Sequence, residues 1–110
     1  MNSYNLIGPD AVQRVADFRL ELEVKDNGVA RDLTGWGFEF VIANGRQKLV
    51  VASTANGKIT VPSPTNGKLF VGVLKSDMDG VSDGVYNYYC VGMNGPMTEL
   101  ILEDAKIEIR

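Results

Sequence analysis

At 110 residues, 45% hydrophobic and 23% charged, the chain has the composition of one globular domain with a core of its own. A net charge of −3 with no basic block excludes the electrostatic footprint by which proteins grip phosphate backbones. Histidine is absent and Cys90 is the only cysteine, so Ser-His and Cys-His nucleophile pairs, His-ligated zinc and an internal disulfide are all excluded.

Residues 1–14 are aperiodic and interrupted by Gly8-Pro9, and they read as an N-terminal arm with a short strand at Tyr4–Ile7. A single domain is expected over 15–110, and removing Met1–Val12 should leave it folded. The arm has no charged region followed by an apolar run, so no signal peptide is expected. No apolar stretch approaches the roughly 20 residues of a membrane helix.

From residue 15 the period is two. Phe18, Leu20, Leu22 and Val24 alternate with Asp17, Arg19, Glu21, Glu23 and Lys25, which predicts a strand with one wet face. Trp36, Phe38, Phe40 and Ile42 line one face of a second strand. Shorter strands are expected at 46–52 and 58–61, the latter closed by Pro62 and Pro64, which cannot donate to a ladder. Further strands are expected at 68–74, 85–93, and 97–102 with 105–109 as a final strand or pair. Five Asn-Gly pairs, at 27-28, 44-45, 56-57, 66-67 and 94-95, mark the corners, and Asn-Gly suits the type I′ hairpin turn because both residues tolerate positive φ. The segment 75–84 is polar and glycine-bearing, and reads as a crossing loop with one helical turn. Seven to nine short antiparallel strands at this spacing predict an all-β sandwich or barrel. The clean wet faces and the crossing loop favour an immunoglobulin-like β-sandwich, although the Cys…Trp…Cys framework of antibody domains is lacking.

Few constellations point to chemistry. Asp77, Asp79, Ser82 and Asp83 suggest a calcium loop, but no bidentate Glu closes it, and turn formation explains the same residues. Glu21, Glu23 and Glu39 fall on wet strand faces rather than in a cleft. Cys90 continues the Tyr86, Tyr88 alternation as a small buried hydrophobe. No catalytic, cofactor-binding or metal-ligating residue is therefore assigned. Strands apolar on both faces are more informative: Phe70 and Leu74 interleave with Leu69, Val71 and Val73, Ile101 lies between Leu100 and Leu102, and Val41 and Tyr89 oppose inward-looking neighbours. A sandwich buries one face of each sheet, so the second set is covered by the arm or by a partner, or is too dispersed to form a patch. The interface candidates are thus Tyr4, Leu6, Ile7, Val41, Phe70, Leu74, Tyr89 and Ile101.

Five motifs follow in order: Ala16-Asp17-Phe18-Arg19-Leu20-Glu21-Leu22, Arg31-Asp32-Leu33-Thr34-Gly35-Trp36, Ala55-Asn56-Gly57-Lys58-Ile59-Thr60-Val61, Asn66-Gly67-Lys68-Leu69 and Gly84-Val85-Tyr86-Asn87-Tyr88. In this order the chain resembles a widespread group of small phage and prophage proteins, and over roughly 15–109 it is similar to the N-terminal domain of the BppU-type baseplate upper proteins. The resemblance implies an immunoglobulin-like sandwich with a non-enzymatic role in a virion, made in the host cytoplasm. It implies docking to other virion proteins, in multiple copies of a symmetric assembly, without nucleic acid, membrane or cofactor. Where related sequences carry a glycine before the last strand, this chain has Glu103-Asp104-Ala105. The baseplate proteins continue into a shaft, whereas Arg110 is the last residue here, so the expectation is a free-standing tail, baseplate or collar adaptor. The alternatives are a capsid decoration protein or a carbohydrate- or host-surface-binding module using Trp36 or the tyrosines. At the matching positions, Asp32 and Thr34 should hold a turn through side-chain-to-backbone bonds. Gly35 should supply a conformation denied to other residues, and Tyr86 and Tyr88 should pack inward with their hydroxyls on backbone partners.

Overall fold

The structure, a computed structural model, describes residues 12, 13 and 16–110, and only the backbone of 102–104. The strand expected at Tyr4–Ile7, and with it the candidates Tyr4, Leu6 and Ile7, lies outside the described residues. Among the described residues there are nine strands: β1 Phe18–Glu23, β2 Lys25–Asp26, β3 Val29–Ala30, β4 Gly37–Asn44, β5 Gln47–Ser53, β6 Ile59–Thr60, β7 Lys68–Val73, β8 Gly84–Asn94 and β9 Met97–Ile109. Single 3-10 turns at Pro64–Asn66 and Lys75–Met78 interrupt them. All strand pairings are antiparallel, and the order is β1-β7-β6 in one sheet and β5-β4-β8-β9 in the other, with β2 and β3 forming a small separate hairpin.

Alternation decides which side chains meet between the sheets. Leu22, Leu69, Val71, Val73 and Ile59 from the three-stranded sheet face Phe38, Phe40, Ile42, Val50, Ala52, Tyr88, Cys90, Ile107 and Ile109 from the other, and all are buried. The fold is an all-β sandwich. Each large side chain removed from water here contributes roughly 1.5–3 kcal/mol before ordering entropy is subtracted. The Phe40 and Tyr88 rings, on adjacent strands, lie 5.4 Å apart at 46°, within the range of favourable tilted aromatic pairs.

The boundary expected at residue 15 is too late. Val12 is 5% exposed and belongs to the core. Its N–H donates to Glu108 O at 2.8 Å, its carbonyl accepts from Arg110 N–H at 2.9 Å, and the two form a parallel bridge to Ile109. Removing Met1–Val12 would therefore take a core side chain and two backbone bonds with it.

The Asn-Gly pairs all fall at corners, but by different means. Only Asn27-Gly28 has positive φ at both residues, 51° and 80°, as type I′ requires. In the β4–β5 and β8–β9 hairpins Asn44 and Asn94 are the last paired residues, opposite Gln47 and Met97. Gly45 and Gly95, at φ 61° and 59°, then take the first central position, where a type II′ turn places glycine. Gly67 follows the first 3-10 turn at φ 68°, and a Cβ there would sit 2.6 Å from Val24 O and 3.0 Å from Arg31 N. Backbone from three segments meets at that point, so Gly67 serves close approach as well as φ.

Gly67→Ala should therefore cost about 3 kcal/mol or more, the sum of a left-handed alanine and a backbone clash. Gly57→Ala, also at positive φ but with open space around it, should cost only about 1–2 kcal/mol. Equal losses in urea denaturation of the two variants would contradict the packing described at Gly67.

Candidate interaction surface

Most polar side chains that could carry chemistry are committed to holding the scaffold. The segment joining β3 to β4 shows how. Asp32 Oδ1 accepts from Thr34 N–H at 2.9 Å and from Thr34 Oγ1 at 2.6 Å, and Gly35 adopts φ 82°. The Asp-x-Thr-Gly motif therefore makes the turn expected of it. Arg31, just before, clamps two carboxylates: Nε and Nη2 donate to Asp26 at 2.9 and 2.8 Å, and Nη1 and Nη2 donate to Glu99, the latter at 3.0 Å. Its guanidinium also lies 5.7 Å from the Trp36 ring centroid, within cation–π range. Trp36 in turn lies against Gly92, where a Cβ would be 3.1 Å from the indole. The hydrogen bonds and charge of Arg31 hold Asp26 and Glu99 below the usual carboxylate range, and the two acids raise the guanidinium.

The acidic loop is equally occupied. Asp77 receives Lys58 Nζ at 2.6 and 2.8 Å and the Leu74 N–H at 2.9 Å, so it closes a 3-10 turn and ties β6 to the crossing loop. Tyr86 Oη donates to Ser82 O at 2.7 Å, as expected. Tyr88 is 1% exposed and packs inward. Burial pushes the Cys90 thiol up to about 12, with Glu39 adding to the effect, so it stays protonated at neutral pH and its nucleophilicity is suppressed.

What remains for contact is the outer face of each sheet. On the four-stranded sheet, Val51, Val41 and Tyr89 stand side by side across β5, β4 and β8, and Val91 pairs with Leu100 across β8 and β9. The first row is apolar across three strands; the second, which holds Val91 and Leu100, continues into Glu39 on β4 and Ser53 on β5. Val41 is fully buried yet outside the core cluster. The Lys48 side chain, opposite Ala43, reaches past it to Glu39 at 3.4 Å, so Val41 is covered by its own sheet rather than by a second layer. A groove of about 570 Å³ runs beside the row, lined by Ala43, Gly45, Asn87, Tyr88, Tyr89, Leu100 and Lys106. On the three-stranded sheet, Phe70 and Leu74 are 41% and 49% exposed. They flank Gly72, whose missing side chain opens a groove of about 490 Å³ shared with Phe18, Arg19, Thr60 and Lys58.

The candidates thus fall into two pairs on separate surfaces. Val41 with Tyr89 marks the four-stranded face, and Phe70 with Leu74 marks the groove on the other. Ile101 belongs to neither, because it packs against the core and approaches Gly92. Register shifts in the β8–β9 ladder change the alternation, so that Cys90 faces Leu102 while Val91 faces Leu100, and Leu100 is the residue turned outward. Val51, at 37% exposed, and Met93, at 38%, add to the same outer face. Neither was singled out from the sequence, where each sits in an apolar run with nothing to say which face it takes.

No protein-family model matches the chain, and no curated protein is significantly similar to it.

The carboxylates held down by Arg31 and Lys58 add stability that is present above their unfolded pKa values, near 4, and is lost as pH falls through the lowered folded values. Arg31→Met should therefore flatten the acid limb of the stability profile below about pH 5 and leave the slope above it unchanged. An identical acid limb in that variant, measured by urea denaturation across pH, would show that the clamp adds nothing.

Proposed function

We propose that the chain is a non-enzymatic structural component of a bacteriophage particle, a tail, baseplate or collar adaptor that works by docking a sheet face onto neighbouring proteins. One observation carries this reading: on the outer face of the larger sheet an apolar row, Val51, Val41 and Tyr89, crosses three strands, and the apolar pair Val91 and Leu100 lies in the next row. Outer faces that mix apolar and charged side chains in this way suit protein contacts. Here the Lys48–Glu39 pair lies beside Val41 and Lys106 lines the groove next to Tyr89 and Leu100. Repetition around a particle would let each weak contact count through avidity.

The phage setting rests on the resemblance, and the local chemistry of its motifs is compatible with it. The Asp32-Thr34-Gly35 turn and the Tyr86 bond both serve the scaffold. The order β1-β7-β6 over β5-β4-β8-β9 corresponds to strands B-E-D and C′-C-F-G of an immunoglobulin-type sandwich. A tyrosine near the start of the sixth of these strands, bonded to backbone four residues upstream, is the corner found in that group. These features support the immunoglobulin-like assignment.

A capsid decoration protein would use the same face. A sugar-binding platform has less support, since Trp36 lies between Arg31 and Gly92 while Tyr86 and Tyr88 point inward. Mass spectrometry of purified particles should find the chain. A Val51→Glu, Tyr89→Glu variant should unfold at a denaturant concentration close to that of the unmodified chain but be depleted from particles at least tenfold. Absence of the chain from particles, or undiminished incorporation of the variant, would sink this reading.

A further inference from the structure

The five Asn-Gly pairs share a chemistry as well as a shape. When the backbone nitrogen of a glycine reaches the Cγ of the asparagine before it, a new N–C bond forms and the carboxamide C–N bond breaks. The side-chain nitrogen leaves as ammonia, carrying the proton that the glycine nitrogen gives up. Water then opens the cyclic imide at either carbonyl, leaving aspartate or, where the chain is rerouted through the side chain, isoaspartate. No catalyst, oxidant or reductant is required. Glycine in second place favours the step, because no Cβ hinders its nitrogen and its backbone turns freely. The reaction does require an unengaged glycine N–H and a carboxamide free to rotate, and the fold supplies these unequally.

Two of the pairs are locked. At Asn56 the carboxamide is held at both ends: Nδ2 donates to Val51 O at 3.2 Å, and Oδ1 accepts from Ser53 N–H at 2.9 Å and Lys58 N–H at 3.1 Å. The attacking group is engaged as well, since Gly57 N–H donates to Thr54 O at 3.3 Å. At Asn66 the lock lies in the backbone. Asn66 N–H donates to Ser63 O at 3.0 Å and Gly67 N–H to Pro64 O at 3.2 Å, while Gly67 O accepts from Val24 N–H at 2.7 Å. Gly67 is also pressed against the backbone of Val24 and Arg31, so it cannot swing toward the Asn66 side chain without parting those segments.

The other three pairs stand at hairpin tips: Asn27-Gly28 between β2 and β3, Asn44-Gly45 between β4 and β5, and Asn94-Gly95 between β8 and β9. All six residues are exposed, and a Cβ on any of these glycines would meet nothing within 4 Å. Among the described residues, Gly28, Gly45 and Gly95 donate no backbone hydrogen bond, and the side chains of Asn27, Asn44 and Asn94 make none.

We propose that Asn27, Asn44 and Asn94 are sites of spontaneous imide formation in the folded chain, and that the fold protects Asn56 and Asn66. Each conversion places a carboxylate where an amide stood, and each isoaspartate adds a methylene to the backbone at a tip with room for it. Asn44 bears most on contact, because Ala43 and Gly45 on either side of it line the groove on the four-stranded face. This inference stands on turn geometry and is independent of the particle reading.

Peptide mapping by mass spectrometry tests it, on the full chain kept at mildly alkaline pH, folded in one sample and unfolded in urea in the other. Circular dichroism checks both states. Unfolding removes every lock, so the unfolded rate at each pair is that pair's own reference and absorbs the effect of the preceding residue. A locked pair reacts only when it opens locally. The slowing on folding should therefore be at least tenfold greater at Asn56 and at Asn66 than at Asn27, Asn44 or Asn94. A smaller separation between any tip and either locked pair would overturn the proposal.

Discussion

Two sheets of unequal width must close over one core, and the rest of the molecule follows from that. The inner row of β4, Phe38, Phe40 and Ile42, is met by Tyr88 and Cys90 on the neighbouring strand and by Leu69, Val71 and Val73 across the gap. Nothing covalent assists, since the one cysteine is free and buried, so apolar burial carries the stability. A sandwich closed in this way keeps its inner faces dry and leaves its outer faces, edges and connecting loops facing the surroundings.

Polar residues then divide into two kinds. Asp32, Arg31, Asn56 and Asp77 are spent at corners, satisfying backbone groups or clamping segments that are distant in sequence. Arg19, Glu21, Lys48 and Lys106 lie on the outside, around the two apolar outer surfaces and along the β1 edge. The first kind makes the scaffold rigid. The second decides which partners the outer surfaces tolerate, because a like charge placed opposite costs specificity and an opposite one adds it.

Much of this was legible in the amino-acid sequence, and for identifiable reasons. Strand positions followed from period-two alternation, which survives without knowledge of partners. The turn at Asp32–Gly35 and the inward Tyr86 were legible because their chemistry is local. Val12 was missed because one bridging residue has no period to reveal it. Ile101 was placed among outward residues because a bulge changes facing without marking the sequence. The Arg31–Glu99 contact joins residues 68 positions apart, a distance at which only the closed fold brings charges together. Asn56 could have been read more closely: Ser53 and Asn56, three apart before a glycine, exchange backbone and side-chain bonds in both directions, the reciprocal pattern familiar from helix caps.

The account as a whole has β1 paired along one side among the described residues, with Leu20 and Leu22 bonded to β7 and Arg19, Glu21 and Glu23 turned away from it. Residue-resolved amide hydrogen exchange on the dilute chain measures this directly. It should show slow exchange at Leu20 and Leu22, whose N–H groups face β7, alternating with fast exchange at Arg19, Glu21 and Glu23. Uniformly slow exchange along all of β1 under those conditions would mean that the edge is already occupied and would contradict the account.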